Sequence, residues 1–131
     1  MTHTNYKVKN ISLAKNGKLK LDWAEAHMPV LMLIRKEFVK KSPLNGLRVG
    51  ACLHVTKETG VLVRTLKAAG AEVFLCASNP LSTQDEVAAA LFQNDINVYA
   101  WRGEREDEYF WCIRKIIEKK PVIVIDDAKA Q

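Results

Sequence analysis

Cysteine is scarce in this sequence, with three residues, Cys52, Cys76 and Cys112, far apart and each inside an apolar run. An odd number with no Cys-x-x-Cys pair argues against a disulfide framework or a zinc site and fits buried, reduced thiols. The three histidines, His3, His27 and His54, are too scattered to build a metal site, so no metal is expected. No segment reaches the roughly 20 apolar residues that a membrane span needs. The first ten residues, MTHTNYKVKN, offer no apolar stretch for a signal peptide, so a cytoplasmic protein is expected. No glycine-rich dinucleotide fingerprint follows a strand, and there is no P-loop or nucleophile elbow.

What is present is the composition of an ordinary globular protein, 48% hydrophobic and 27% charged, at a length of one domain. The net charge is +5, and much of it lies in the first third, in Lys7, Lys9, Lys15, Lys18, Lys20, Arg35, Lys36, Lys40 and Lys41. A basic face can attract phosphates. Here the basic residues alternate with apolar ones at helical spacing, with Asp22, Glu25 and Glu37 among them, which reads as a solvated helix face. Nucleic acid is not the expected partner.

Residues 12–41 read as helical, with Ala24, His27, Leu31, Ile34 and Phe38 recurring on one face. Pro29 removes a backbone donor in the middle, so two helices or one kinked helix are expected. Pro43 and Asn45-Gly46 then end the segment. Beyond them the pattern becomes a repeat. Four β-rich runs, at 47–54, 71–77, 97–101 and 122–125, alternate with helical stretches near 57–69, 85–94 and 106–119. Strand and helix in this alternation give right-handed βαβ units and a parallel sheet covered on both sides. Gly70 suits the left-handed position just past a helix end. The expected fold is therefore α/β, a doubly wound parallel sheet of Rossmann-like or flavodoxin-like kind with an N-terminal helical segment. Residues 1–131 read as one domain, a helical arm over 1–45 followed by βα repeats over 46–131.

In such sheets ligands bind beyond the carboxyl ends of the strands, and there the polar residues gather. His54, Thr56, Glu58 and Thr59 follow the first run. Ser78, Asn79, Ser82, Thr83, Gln84 and Asp85 follow the second, Arg102 and Glu104 the third, and Asp126 and Asp127 the fourth. Each has a plainer explanation. Thr56 can cap the next helix with Glu58 in its first turn, and Ser82-Thr83-Gln84-Asp85 has the form of a capping box. Capping does not account for His54, which is either a satisfied core histidine or a proton-transfer group. Asp126 and Asp127 point to opposite sides of an extended chain, so one carboxylate facing the crevice stands against a pair merely solvated in a loop.

Several segments resemble one family, in order and over about residues 6–127. His54-Val55-Thr56-Lys57-Glu58-Thr59, Ser78-Asn79-Pro80-Leu81-Ser82-Thr83-Gln84-Asp85 and Val98-Tyr99-Ala100-Trp101-Arg102-Gly103-Glu104 match motifs of S-adenosylhomocysteine hydrolases. Tyr6-Lys7-Val8, Ile11-Ser12-Leu13-Ala14 and Ala26-His27-Met28-Pro29 resemble the family's opening and its Met-Pro helix. The resemblance implies the N-terminal part of a substrate-binding domain. In that family tightly bound NAD oxidises the ribose 3′-hydroxyl, homocysteine is eliminated, water adds, and reduction returns adenosine. It also implies that Thr56 and Glu58 contact adenine, with Leu53 against its ring and Thr59, Asn79 and Gln84 nearby. His54 and Asp127 would serve proton transfer at the ribose and its 5′ position.

One departure stands at the end, where the family continues Asp-Asp-Gly-Gly-Asp and this chain reads Asp126-Asp127-Ala128-Lys129. With no NAD-binding domain in the sequence, no bound NAD is expected for this chain alone. Three functions stay open: the substrate half of an enzyme completed by an NAD-domain polypeptide, a weak binder of adenosine or S-adenosylhomocysteine, and a self-associating module. A homo-oligomer is expected, and turnover by the isolated chain is not.

Overall fold

The computed structural model describes residues 7–127. The described residues open with a two-residue strand, β1 (Lys7–Val8), and a single 3-10 turn at Ile11–Leu13. Two helices follow, α1 (Ala14–Ala26) and α2 (Pro29–Lys41). The break falls where Pro29 takes the first helical position of α2, a place where its missing N–H costs nothing. Then come β2 (Arg48–Leu53), α3 (Lys57–Ala68), β3 (Glu72–Ala77), α4 (Asp85–Gln93), β4 (Asn97–Ala100), α5 (Glu106–Glu118) and β5 (Ile123–Asp126). Gly70 adopts φ 99° behind α3 and lets the chain reverse into β3.

The five strands form one parallel sheet in the order β1-β4-β3-β2-β5. From β2 the chain moves outward to β3 and β4, then α5 carries it back across the sheet and β5 pairs on the other side of β2. The reversal lies between β2 and β5. Side chains alternate along each strand and split the interior in two. Val49, Ala51, Leu53, Val73, Leu75, Val98 and Ala100 face the layer built by α1, α3 and α4. Phe74, Cys76, Tyr99 and Trp101 face α5, through Cys112 and Ile116.

Helix α1 lies directly on α4, and Gly17 is what permits it. A Cβ there would overlap the carbonyl oxygen of Glu86. Helix α2 forms an outer layer against α3 with none of its residues fully buried. Its anchor is Arg35, which donates to Glu25 (2.8 Å), the Thr65 hydroxyl (3.2 Å) and the Val61 carbonyl (3.2 Å). Glu25 receives Arg64 on the same oxygen at 2.8 Å.

The α/β architecture and the break at Pro29 follow the sequence reading, with four differences. Lys7–Val8 adds a fifth strand at the β4 edge, inside the segment read as a helical arm. Of the face assigned to the two N-terminal helices, Ala24 is buried and Leu31 and Phe38 are half-buried, but His27 and Ile34 are exposed. The His27 ring stacks on Trp23 at 4.0 Å instead. The last strand is not enclosed, for β5 is an edge with Val124 64% exposed, because α5 spans β2, β3 and β4 and stops short of it. The capping box at Ser82 does not form: α4 begins after Gln84 without a side-chain cap, and Ser82 is engaged elsewhere.

Candidate functional site

The turn after β2 and the end of β5 meet at the point where strand order reverses. The Asp127 amide donates to the Cys52 carbonyl at 3.1 Å, which holds the Asp127 backbone beside the end of β2. An open cavity of about 480 Å³ lies there, lined by His54, Ser78, Asn79, Pro80, Glu106, Tyr109, Phe110 and Asp127. It sits where doubly wound sheets place their ligands, beyond the strand carboxyl ends at the switch point.

His54 is the first residue past β2 and is exposed in this cavity. Its Nδ1 lies 2.8 Å from the Ser82 hydroxyl. The loop presenting Ser82 is braced on both sides. Asn79 Oδ1 accepts from the Leu81 amide at 2.8 Å, the Gln84 amide donates to the Val55 carbonyl at 2.9 Å, and the Gly103 amide donates to the Pro80 carbonyl at 2.8 Å. From α5 the Tyr109 hydroxyl donates to the Ser78 carbonyl at 3.2 Å.

The residues named from the sequence divide into two groups. His54, Asn79 and Asp127 come together around the cavity. Leu53, Thr56, Glu58, Thr59 and Gln84 do not line it. Leu53 is 7% exposed and belongs to the core under α1, α3 and α4. Thr56 is the N-cap of α3, its hydroxyl accepting from the Thr59 amide at 3.5 Å. Glu58 is exposed in the first turn of α3, 3.3 Å from the Lys57 ammonium. Its own backbone N–H, seconded by Lys57, holds that carboxylate below the ordinary glutamate range. Gln84 is half-buried, and its Oε1 has no hydrogen-bond partner among the described residues. The second group thus forms the shoulder where α3 and α4 begin. The departure from the family's glycines at Ala128 and Lys129 lies outside the described residues, as does Tyr6.

Sequence reasoning missed Glu106, Tyr109 and Phe110. The signal was available: positions 106, 109 and 110 share one face of a helix, and the first turn of a helix that follows a strand stands at that strand's carboxyl end. Glu104 was read as a crevice residue but turns inward beneath α5, only 6% exposed. It accepts from the Trp101 amide at 3.2 Å and the Cys112 thiol at 3.9 Å, and its Oε1 has no partner among the described residues. Burial pushes this carboxyl up to about 7. Among the described residues no three His, Cys, Asp or Glu side chains are grouped to hold a metal ion, and no helix is long and apolar enough to cross a membrane.

A family model described as S-adenosyl-L-homocysteine hydrolase matches residues 5–130. The chain belongs to that family. The adenosylhomocysteinase of Sulfolobus acidocaldarius is 58% identical over 123 residues, covering 94% of this chain and 30% of the relative. That of Pyrobaculum aerophilum is 60% identical over 121 residues, 92% of this chain and 28% of the relative. The S-inosyl-L-homocysteine hydrolase of Methanocaldococcus jannaschii is 48% identical over 122 residues, 93% and 29%. The chain therefore spans about 30% of the length of these curated relatives of the hydrolase family.

Proposed function

We propose that this chain supplies the nucleoside-holding half of an adenosylhomocysteinase-type site. One observation carries the reading. Three separate strand ends bring His54, Asn79 and Asp127 around a single cavity at the sheet's switch point, in a member of the hydrolase family. The base lies on the shoulder of α3 and α4, with Thr56, Glu58, Thr59 and Gln84 reaching its polar edge and Leu53 behind it. The ribose and its 5′ carbon lie over the cavity. There His54 moves a proton at Nε2 as homocysteine leaves and water enters, and the Asp127 carboxylate holds a hydroxyl or the charge that develops on the imidazole.

Bound NAD supplies hydride acceptance from the ribose in the complete hydrolase. Among the described residues every strand-to-helix turn lacks a glycine-rich cradle, and the α3 N-terminus is already capped by Thr56, so no step in this chain is routed through NAD. The working protein is a cytoplasmic homo-oligomer.

The relatives' names raise a second reading, a hypoxanthine base in place of adenine. Glu58 favours adenine. An ionised carboxylate accepts hydrogen bonds only, which suits the exocyclic amino group and opposes the hypoxanthine carbonyl. The test is a titration of the full chain with adenosine and with inosine, followed by amide chemical shifts. Binding is expected on the order of millimolar for half a cleft, which buries little of the ligand. It should favour adenosine, with shifts at 54–59 and 79–84, and be lost in Glu58→Ala. Shifts confined to other surfaces, or equal affinity for both nucleosides, would overturn the reading.

A further inference from the structure

We propose that Ser82 is the positioning residue that holds His54 with its proton on Nδ1, leaving the Nε2 lone pair free at the cavity wall. The inference deepens the reading of His54 as the proton-transfer group and rests on it for its purpose, though not for its test. The Ser82 hydroxyl has one hydrogen and two neighbours, His54 Nδ1 at 2.8 Å and the Asn79 carbonyl at 3.3 Å. A carbonyl can only accept, so a hydrogen spent on Asn79 obliges the ring nitrogen to donate. The relay His54 Nδ1–H to Ser82 O–H to Asn79 C=O makes two hydrogen bonds. The opposite tautomer keeps one and leaves the carbonyl to the Ser82 amide at 3.4 Å.

The relay is anchored because Asn79 is fixed by its own turn and the Ser78 carbonyl is tied to Tyr109. Ser82 cannot simply follow the ring. Among the described residues Nε2 has no hydrogen-bond partner, which leaves it for a ligand in the cavity. A histidine free in water carries its proton mainly on Nε2, the form that could not accept one there. Ser82 reverses that preference. When Nε2 takes a proton, the imidazolium still donates through Nδ1 and the ring need not turn.

The test reads the tautomer directly in the ligand-free 131-residue chain, by long-range proton–nitrogen correlation with both ring nitrogens labelled. The measurement is made where the imidazole is neutral, and the His54 signals are assigned by their loss in His54→Gln. The expected result is an Nδ1–H majority, with the ratio of Nδ1–H to Nε2–H roughly fivefold above its value in Ser82→Ala, the weight of one ordinary hydrogen bond. Ser82→Ala should return the ring to a majority of Nε2–H, and Ser82→Thr, which keeps the hydroxyl, should preserve the Nδ1–H majority. A wild-type ring that is mainly Nε2–H overturns the proposal, as does an Ala variant with an unchanged ring. Should Ser82→Ala fail to fold, wild type and Ser82→Thr decide it, because both must show the Nδ1–H majority. Adenosine binding is a separate measurement, so a chain that fails to bind can still show the relay, and one that binds can lack it.

Discussion

Replacing Glu104 by Gln should remove a defined part of the pH dependence of stability. Glu104 is 6% exposed and, among the described residues, receives only the Trp101 amide and the Cys112 thiol. Burial outweighs those donors and lifts its carboxyl from 4.5 to about 7, with Glu108 and Asp85 adding repulsion. Such a rise is worth about 3 kcal/mol at 1.36 kcal/mol per tenfold change in proton affinity. Below pH 4.5 the acid is neutral in folded and unfolded chains alike, and nothing is lost. Between 4.5 and about 7 the unfolded chain ionises while the folded one keeps its proton, so the unfolding free energy falls with rising pH. Above about 7 both are ionised and the whole cost remains.

Glutamine never ionises. Urea melts of wild type and Glu104→Gln under reducing conditions should therefore show a difference in stability that changes by about 3 kcal/mol, in favour of the variant, from pH 4.5 to pH 8. Comparing the two curves cancels any fixed penalty of the amide. It also cancels Glu58, Glu86 and Asp107, whose carboxyls are held low and slope the other way. Parallel curves across this range would refute the assignment of a buried, proton-holding Glu104.

Three further outcomes can be checked on the same chain. Gly17→Ala should lower stability by about 2 kcal/mol, because the added methyl group meets the Glu86 carbonyl and must part α1 from α4; an unchanged melting temperature would mean the helices separate freely. Glu25→Ala leaves Arg35 and Arg64 facing each other without their shared carboxylate. It should cost about 1–3 kcal/mol, less than a fully buried pair, and raise amide exchange in α2 ahead of the rest, whereas uniform exchange would show that Arg35 does not anchor that helix. Tyr109→Phe removes the donor to the Ser78 carbonyl and should cost about 1 kcal/mol, with shift changes at 78–82 in amide spectra.

The repeating strands were legible because residues such as Val49, Ala51 and Leu53 keep a period of two between turn signals, and Pro29 announced its own break. Lys7–Val8 was not legible, since two residues carry no period and their pairing with Tyr99 and Ala100 is set by tertiary structure. The site was half visible. His54 and Asp127 could be read as strand-end residues, but their meeting depends on β5 crossing back to β2, which strand spacing does not encode. Ser82 looked like a helix cap because Ser-x-x-Asp is the same pattern whether or not the hydroxyl turns back on its own helix. Glu104 looked like a loop carboxylate because nothing in Arg-Gly-Glu says that the chain will fold it under Trp101 and Cys112.

The pairing of β5 with β2 also divides the molecule into a core that closes early in the sequence and a site that closes late. Strands β1 to β4 and helices α1, α3 and α4 can close their shared core before residue 123 has left the ribosome, since none of that core except Ile125 comes from later in the chain. His54 then waits beside an unoccupied strand position. The cavity takes one wall from Asp127 at the end of β5, so a chain cut before residue 123 would hold nearly all of the shared core and still lack the site.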